Sequence, residues 1–158
     1  MTDILGKVEQ LQKSSNEYFI DYLPKPVTSK DYFEFEEYFM NTFLQSFSEK
    51  VIRLVFKVMC YYEAELCLTE LPCEYFGLLS NYDVGENIRK LPLTEISSII
   101  NEVIVKDKSS VQILLKADDY CNICISGGFS VSVYSTCSDI IDLISIFATQ
   151  ENLFLIRK

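Results

Sequence analysis

The sequence predicts an α+β domain in which N-terminal helices pack on a C-terminal antiparallel sheet of order β-β-β-α-β. Three observations predict it. Apolar residues make up 49% of the 158, enough to fill one core in a single domain spanning 1–158. Apolar residues of the earlier part recur at helical spacing, whereas the last third alternates with period two between short turn signals. Helices grouped before an antiparallel sheet define the class.

Each element has its own reason. Ile4, Leu5, Val8 and Leu11 fall on one side of a helix over 3–14. The prolines of "YLPKPVTS" mark a loop, and Thr28 or Ser29 is placed to cap the next helix. Asp31 and Glu34 then lie in its first turn, where the helix dipole favours negative charge. Phe35, Phe39, Phe43 and Phe47 recur every four residues, an aromatic stripe along a helix reaching about Phe47. Such a stripe serves core packing or forms an exposed groove for a partner.

"SEKVIRLVFKVMCYYEAELCLTEL" fits two templates. As a strand it puts Ile52, Leu54, Phe56, Val58 and Cys60 on one face; as a helix, Val51, Val55, Val58, Tyr62 and Leu66. Its length, its lack of Gly and Pro, and "EAEL" favour a helix over 49–70, ended by Pro72. "CEYFGLLSNYDVGENIRKLP" reads as loop, and Thr94 caps a helix through about Val103. "SVQILLKA", "YCNICIS" and "FSVSVYS" read as strands joined by turns at "DD" and "GG". Ile140, Ile141, Ile144 and Phe147 predict a helix, and "LFLIR" a final strand.

The residues that carry chemistry are few. The chain has no His, which removes the commonest general base and zinc ligand and the usual partner of a nucleophilic Ser or Cys. No GxSxG occurs. The six cysteines are Cys60, Cys67, Cys73, Cys121, Cys124 and Cys137. Cys121 and Cys124 form a lone CxxC, without the second pair a zinc ribbon needs. On a strand their odd spacing sends the two thiols to opposite faces, so core packing is the expected role. "NYDVGENIRK" is a poor calcium loop. Asp118-Asp119, at a hairpin tip, lacks the burial that glycoside hydrolysis needs. No catalytic residue, metal or cofactor is expected.

Gly127 and Gly128 raise the question of a phosphate loop. The segment after them alternates as a strand and no Lys or Arg lies between Ala117 and Ile156, so a hairpin turn is expected.

Charge is the strongest feature. The net charge of −9 disfavours nucleic acid and anionic membrane and favours a basic protein partner. Acids unaccompanied by bases run from Glu63 through Glu65, Glu70, Glu74 and Asp83 to Glu86, and again through Asp118, Asp119, Asp139, Asp142 and Glu151. Asp31, Glu34, Glu36 and Glu37 open the aromatic helix. Spread evenly these form a solvated surface; converging, they complement a basic site. Tyr82 beside Asp83 and Glu86, and Tyr120 beside Asp118 and Asp119, are the candidate partner-binding anchors. Charges at Asp3, Lys7 and Glu9 interrupt the N-terminus, and no uncharged run reaches ~18 apolar residues, so a cytoplasmic protein without a membrane span is expected.

The acidic hairpin tip, the alternating strand and "CSDIIDLISIFATQENLFLIRK" as helix then strand, in a small acidic chain, resemble bacterial immunity proteins of polymorphic and contact-dependent toxin systems. The likeness covers about the last 50 residues together with size and charge. It implies neutralisation of a cognate toxin by tight binding, often by plugging a basic nuclease site, and carries over no site residue. Secretion chaperones of the type III class are also small, acidic and α+β, but the first half of this chain reads as too helical for them. A small-molecule sensor or enzyme is the third alternative.

Overall fold

In the computed structural model, which describes residues 3–69, 71 and 77–158, helices and strands interleave along the chain. The order is α1 (Ile4–Ser14), β1 (Asn16–Asp21), α2 (Tyr32–Thr42), α3 (Leu44–Met59), β2 (Glu63–Leu68), a short 3-10 turn (Leu78–Asn81), α4 (Leu93–Lys106), β3 (Val111–Lys116), β4 (Tyr120–Ile125), β5 (Val131–Ser135), α5 (Ser138–Gln150) and β6 (Phe154–Arg157). The strands form one six-stranded sheet, β2-β3-β4-β5-β1-β6, with every neighbouring pair antiparallel. The α+β class and the C-terminal β-β-β-α-β run stand as expected, with two further strands from the first half of the chain.

Alternation sorts the sheet into two faces. Leu66, Ile113, Leu115, Ile123, Ile125, Val131 and Val133 join the main core with residues of α3, α4 and α5. On the other face Cys67 and Leu114 pack under Ile4 and Val8 of α1. Cys121 is buried in the main core, whereas Cys124 lies half-buried on the opposite face, so the CxxC is split as its spacing requires.

The segment 49–70 is not one helix. The helix stops at Met59, and the N–H of Cys60 is shared among the carbonyls of Phe56, Lys57 and Val58. Beyond it, "EAELCL" pairs with β3 in the register Glu63↔Lys116 to Leu68↔Val111. Strand pairing with the buried run of β3 overrides the helical propensity of "EAEL". Glu70, Pro72, Cys73 and Glu74, which entered the sequence reading, lie outside the described residues.

Strand β1 is also absent from the sequence reading. Only Tyr18 and Ile20 of "NEYFID" point into the main core, too short an alternation to register beside the prolines that follow. The aromatic helix ends early as well. Thr42 donates its hydroxyl to the Tyr38 carbonyl at 2.8 Å, a back-bond that bends helices, and Phe43 leaves helical geometry between α2 and α3. Neither Thr28 nor Ser29 caps α2: Asp31 is the N-cap residue, with no side-chain cap bond. Pro92, rather than Thr94, occupies that position on α4.

The glycine pair closes a turn between β4 and β5, with the Ser126 N–H bonded to the Ser130 carbonyl at 2.9 Å. Gly128 takes φ +69°, which a side chain disfavours. Gly127 lies so close to Asp107 that a Cβ there would sit 1.9 Å from its Oδ1. The Gly128 N–H reaches the Ile104 carbonyl, 2.9 Å away, in the last turn of α4. The turn thus caps an orphan carbonyl at the negative end of a helix, a place that repels phosphate.

Candidate protein interface

Helix α2 buries no residue. The sequence "YFEFEEYFMNT" explains why: aromatic residues occupy more than one face, so one stripe can turn inward while the rest stay out. Tyr32, Glu36 and Phe39 form the half-buried side. Phe39 and Phe43 pack on Tyr22, with ring centroids 5.4 and 5.7 Å away. Outward, Phe33 is 80% exposed, Tyr38 63% and Phe35 56%, with Met40 and Val27 exposed beside them. The stripe at Phe35, Phe39, Phe43 and Phe47 is therefore graded, from exposed at Phe35 to fully buried at Phe47. An apolar set of this kind, interleaved with carboxylates, is unusual for a surface that meets only water.

Asp31, Glu34, Glu36 and Glu37 lie on or beside this helix, and none forms an ion pair among the described residues. The other acidic runs are broken up by folding. Glu65 is buried, 3.2 Å from the Lys116 ammonium, which also faces Glu63 at 3.8 Å. Glu151 is buried between Arg53 and Lys57, each at 2.9 Å. Burial opposes its charge, but the hydrogen bonds from Lys57 and Arg53 prevail and hold its carboxyl below the usual value.

The candidate anchors from the sequence occupy opposite ends of the strands. Tyr82 is half-buried against the core and its hydroxyl donates to Glu95 Oε1. That bond comes first among the causes that push its phenol up to about 12. Asp83 and Glu86 are exposed in the same loop, where the Asp83 N–H bonds Glu86 Oε2 at 3.2 Å. The Gly85 N–H bonds the Leu68 carbonyl, which fixes this loop at the Leu68–Val111 end of the sheet. Asp118 and Asp119 are exposed at the β3–β4 tip, past Lys116 at the far end. Tyr120 is 37% exposed, and Lys7 of α1 covers its ring at 4.7 Å and donates to its hydroxyl at 3.2 Å. Both tyrosines already have internal partners, whereas Phe33, Phe35 and Tyr38 project from a helix with none of its side chains buried.

A cleft of about 320 Å³ opens beside α2. Phe19, Tyr32, Met40 and Phe129 line it together with the carboxylates of Asp21 and Glu36, and no Lys or Arg does. Strands β1 and β5 pair only as far as Phe19↔Ser132; Ile20 and Asp21 continue on β6 while Val131 stays with β4. The cleft lies where those strands part. Above it the Tyr22 and Tyr32 hydroxyls stand 3.4 Å apart. Burial, the Tyr32 bond, and the charges of Asp21 and Glu36 raise the Tyr22 phenol well beyond its ordinary range. A second cleft, of about 550 Å³ at β2, mixes Glu63 and Glu65 with Arg89, Lys90 and Lys116.

Burial pushes the Cys67 thiol up to about 11 and Cys121 to about 12, so both stay protonated and unreactive. Among the described residues no group of three or more His, Cys, Asp or Glu is placed to hold a metal, and no helix is long and apolar enough to cross a membrane. The acids on α2 and the aromatic stripe are legible in the sequence. The exposure of Phe33, Tyr38 and Met40 is not legible there, nor is the place of Asp21 at the end of β1. No family model, curated protein or solved structure matches the chain.

Proposed function

We propose that this chain is a non-enzymatic acidic binding protein that docks a basic partner through α2 and the loop before it. The observation that carries the reading is a helix with no buried residue that shows Phe33, Phe35, Tyr38 and Met40 to solvent among four carboxylates that form no ion pair among the described residues. Carboxylates steer a basic surface into register, and the aromatic rings supply the apolar area that holds it. The resemblance of about the last 50 residues, with the chain's size and charge, gives this binding a purpose: an immunity protein that neutralises a cognate bacterial toxin by occluding it in the cytoplasm.

One observation favours a second reading, a secretion or assembly chaperone of the type III class. The first half carries strands β1 and β2 and is less helical than its sequence indicates. The two readings differ in the partner. Co-purification of the tagged chain from its native host, with identification by mass, tests them. Immunity predicts a basic protein that arrests growth when expressed alone and is silenced by this chain, with affinity falling steeply as salt rises. A partner that is not toxic, or whose binding ignores salt, contradicts it; an effector held in a non-native, extended form supports the chaperone.

A further inference from the structure

The cleft between α2 and the parted ends of β1 and β5 has a chemistry of its own. Its lining joins three aromatic rings (Phe19, Tyr32 and Phe129) to two carboxylates, Asp21 and Glu36. Glu36 has no hydrogen bond or ion pair among the described residues, and Asp21 uses one oxygen to accept the Leu23 N–H at 3.2 Å. Both carboxylates act on the Tyr22 hydroxyl, which brings their negative fields onto one spot. The rings of this region already attract the protein's own cations. Lys158, held by Glu17, lies 5.9 Å from the Phe19 centroid, and Lys50 lies 5.1 Å from that of Phe43. Neither lysine lines the cleft.

We propose that this cleft takes an arginine side chain of the basic partner. The inference rests on the docking role proposed above and names the group that anchors it. A guanidinium is planar and weakly hydrated, stacks on aromatic faces and bonds carboxylates through a fork of donors. An ammonium is a compact, strongly hydrated charge and gains less from the rings. An anion would meet two carboxylates and no base. An apolar side chain would desolvate both carboxylates and bring them no donor.

The cleft is tested without the partner, so that its failure is separate from failure of the docking role. The ¹⁵N-labelled full chain is titrated with methylguanidinium chloride, with methylammonium chloride and sodium chloride at matched ionic strength as comparators. Methylguanidinium shifts the amides of Gly127–Val131 and of α2, saturating at a dissociation constant on the order of millimolar. The Asp21→Asn/Glu36→Gln variant keeps an oxygen to accept the Leu23 N–H and weakens binding roughly tenfold. Glu36→Gln alone, at a side chain with no internal partner, also weakens binding and guards against misfolding of the double variant. Shifts spread evenly over surface carboxylates, including the Asp118–Asp119 tip, overturn the site. Methylammonium binding as tight as methylguanidinium overturns the assignment to arginine. A guanidinium site in a protein whose native partner proves not to be basic leaves the cleft standing and removes the docking role.

Discussion

Gly127 and Gly128 occupy one turn for two different physical reasons. Gly128 needs the positive φ, while Gly127 needs the absence of a Cβ against Asp107, itself left-handed at φ 51° at the end of α4. The sequence announced a turn but could not announce the neighbour, because Asp107 arrives from a different element. A Cβ at Gly127 would come within 2.4 Å of the Cβ of Asp107, which cannot swing away. Gly127→Ala is therefore expected to destabilise the fold by about 1–3 kcal/mol. Gly128→Ala costs roughly 1 kcal/mol, because the close atom there is the mobile Met40 methyl. Denaturant unfolding checks the order, and Asp107→Gly restores stability to Gly127→Ala if the contact is the cause. Equal losses in the two alanine variants, or no rescue, contradict this account.

Glu151 shows how elements are tied together. It sits just past α5 and accepts from Arg53 and Lys57 of α3, so one carboxylate joins two helices over the main core. Glu151→Gln removes the charge from a buried group with two cationic partners, and about 1–3 kcal/mol of stability is expected to go with it. The sign of its pH dependence follows from the lowered carboxyl. A group held below its ordinary 4.5 in the folded state stabilises above that value and loses its contribution as pH falls through the folded one. The gap between wild type and Glu151→Gln is thus full at neutral pH and closes in acid. A gap that is constant with pH would sink this reading.

Helix α2 makes the opposite case. With Phe33 and Phe35 exposed, Phe33→Ser and Phe35→Ser are each expected to change stability by no more than about 0.5 kcal/mol while weakening the partner complex. A large stability loss in unfolding experiments, with partner affinity intact, would mean that these rings belong to the core. Element type was legible where periodicity ran long, as in α1, α4, α5 and the three strands β3 to β5. It was not legible at Glu63–Leu68, where a segment rich in good helix formers becomes an edge strand because β3 offers it a ladder. Nor was it legible at Asn16–Asp21, which is placed by β5 and β6, both more than a hundred positions along the chain.

For the molecule as a whole, a net charge of −9 counts the acids but does not reveal their arrangement. Folding turns Glu65 and Glu151 inward to internal lysines and an arginine, and it sends the loop of Asp83 and Glu86 and the tip of Asp118 and Asp119 to opposite ends of the strands. The carboxylates of α2 stay together because they share one short helix, and the exposed rings stay with them. The candidate interface was thus half visible, through its acids and its aromatic spacing. The cleft was not, since Asp21 and Glu36 meet only after β1 enters the sheet between β5 and β6.

Hydrogen exchange of the free chain and of its complex with the co-purified partner is the most direct measurement. Protection on binding is predicted over Val27–Met40 and the Gly127–Val131 turn. Protection confined to Tyr82–Glu86 or Asp118–Tyr120, with α2 exchanging as freely as before, would contradict docking through this helix.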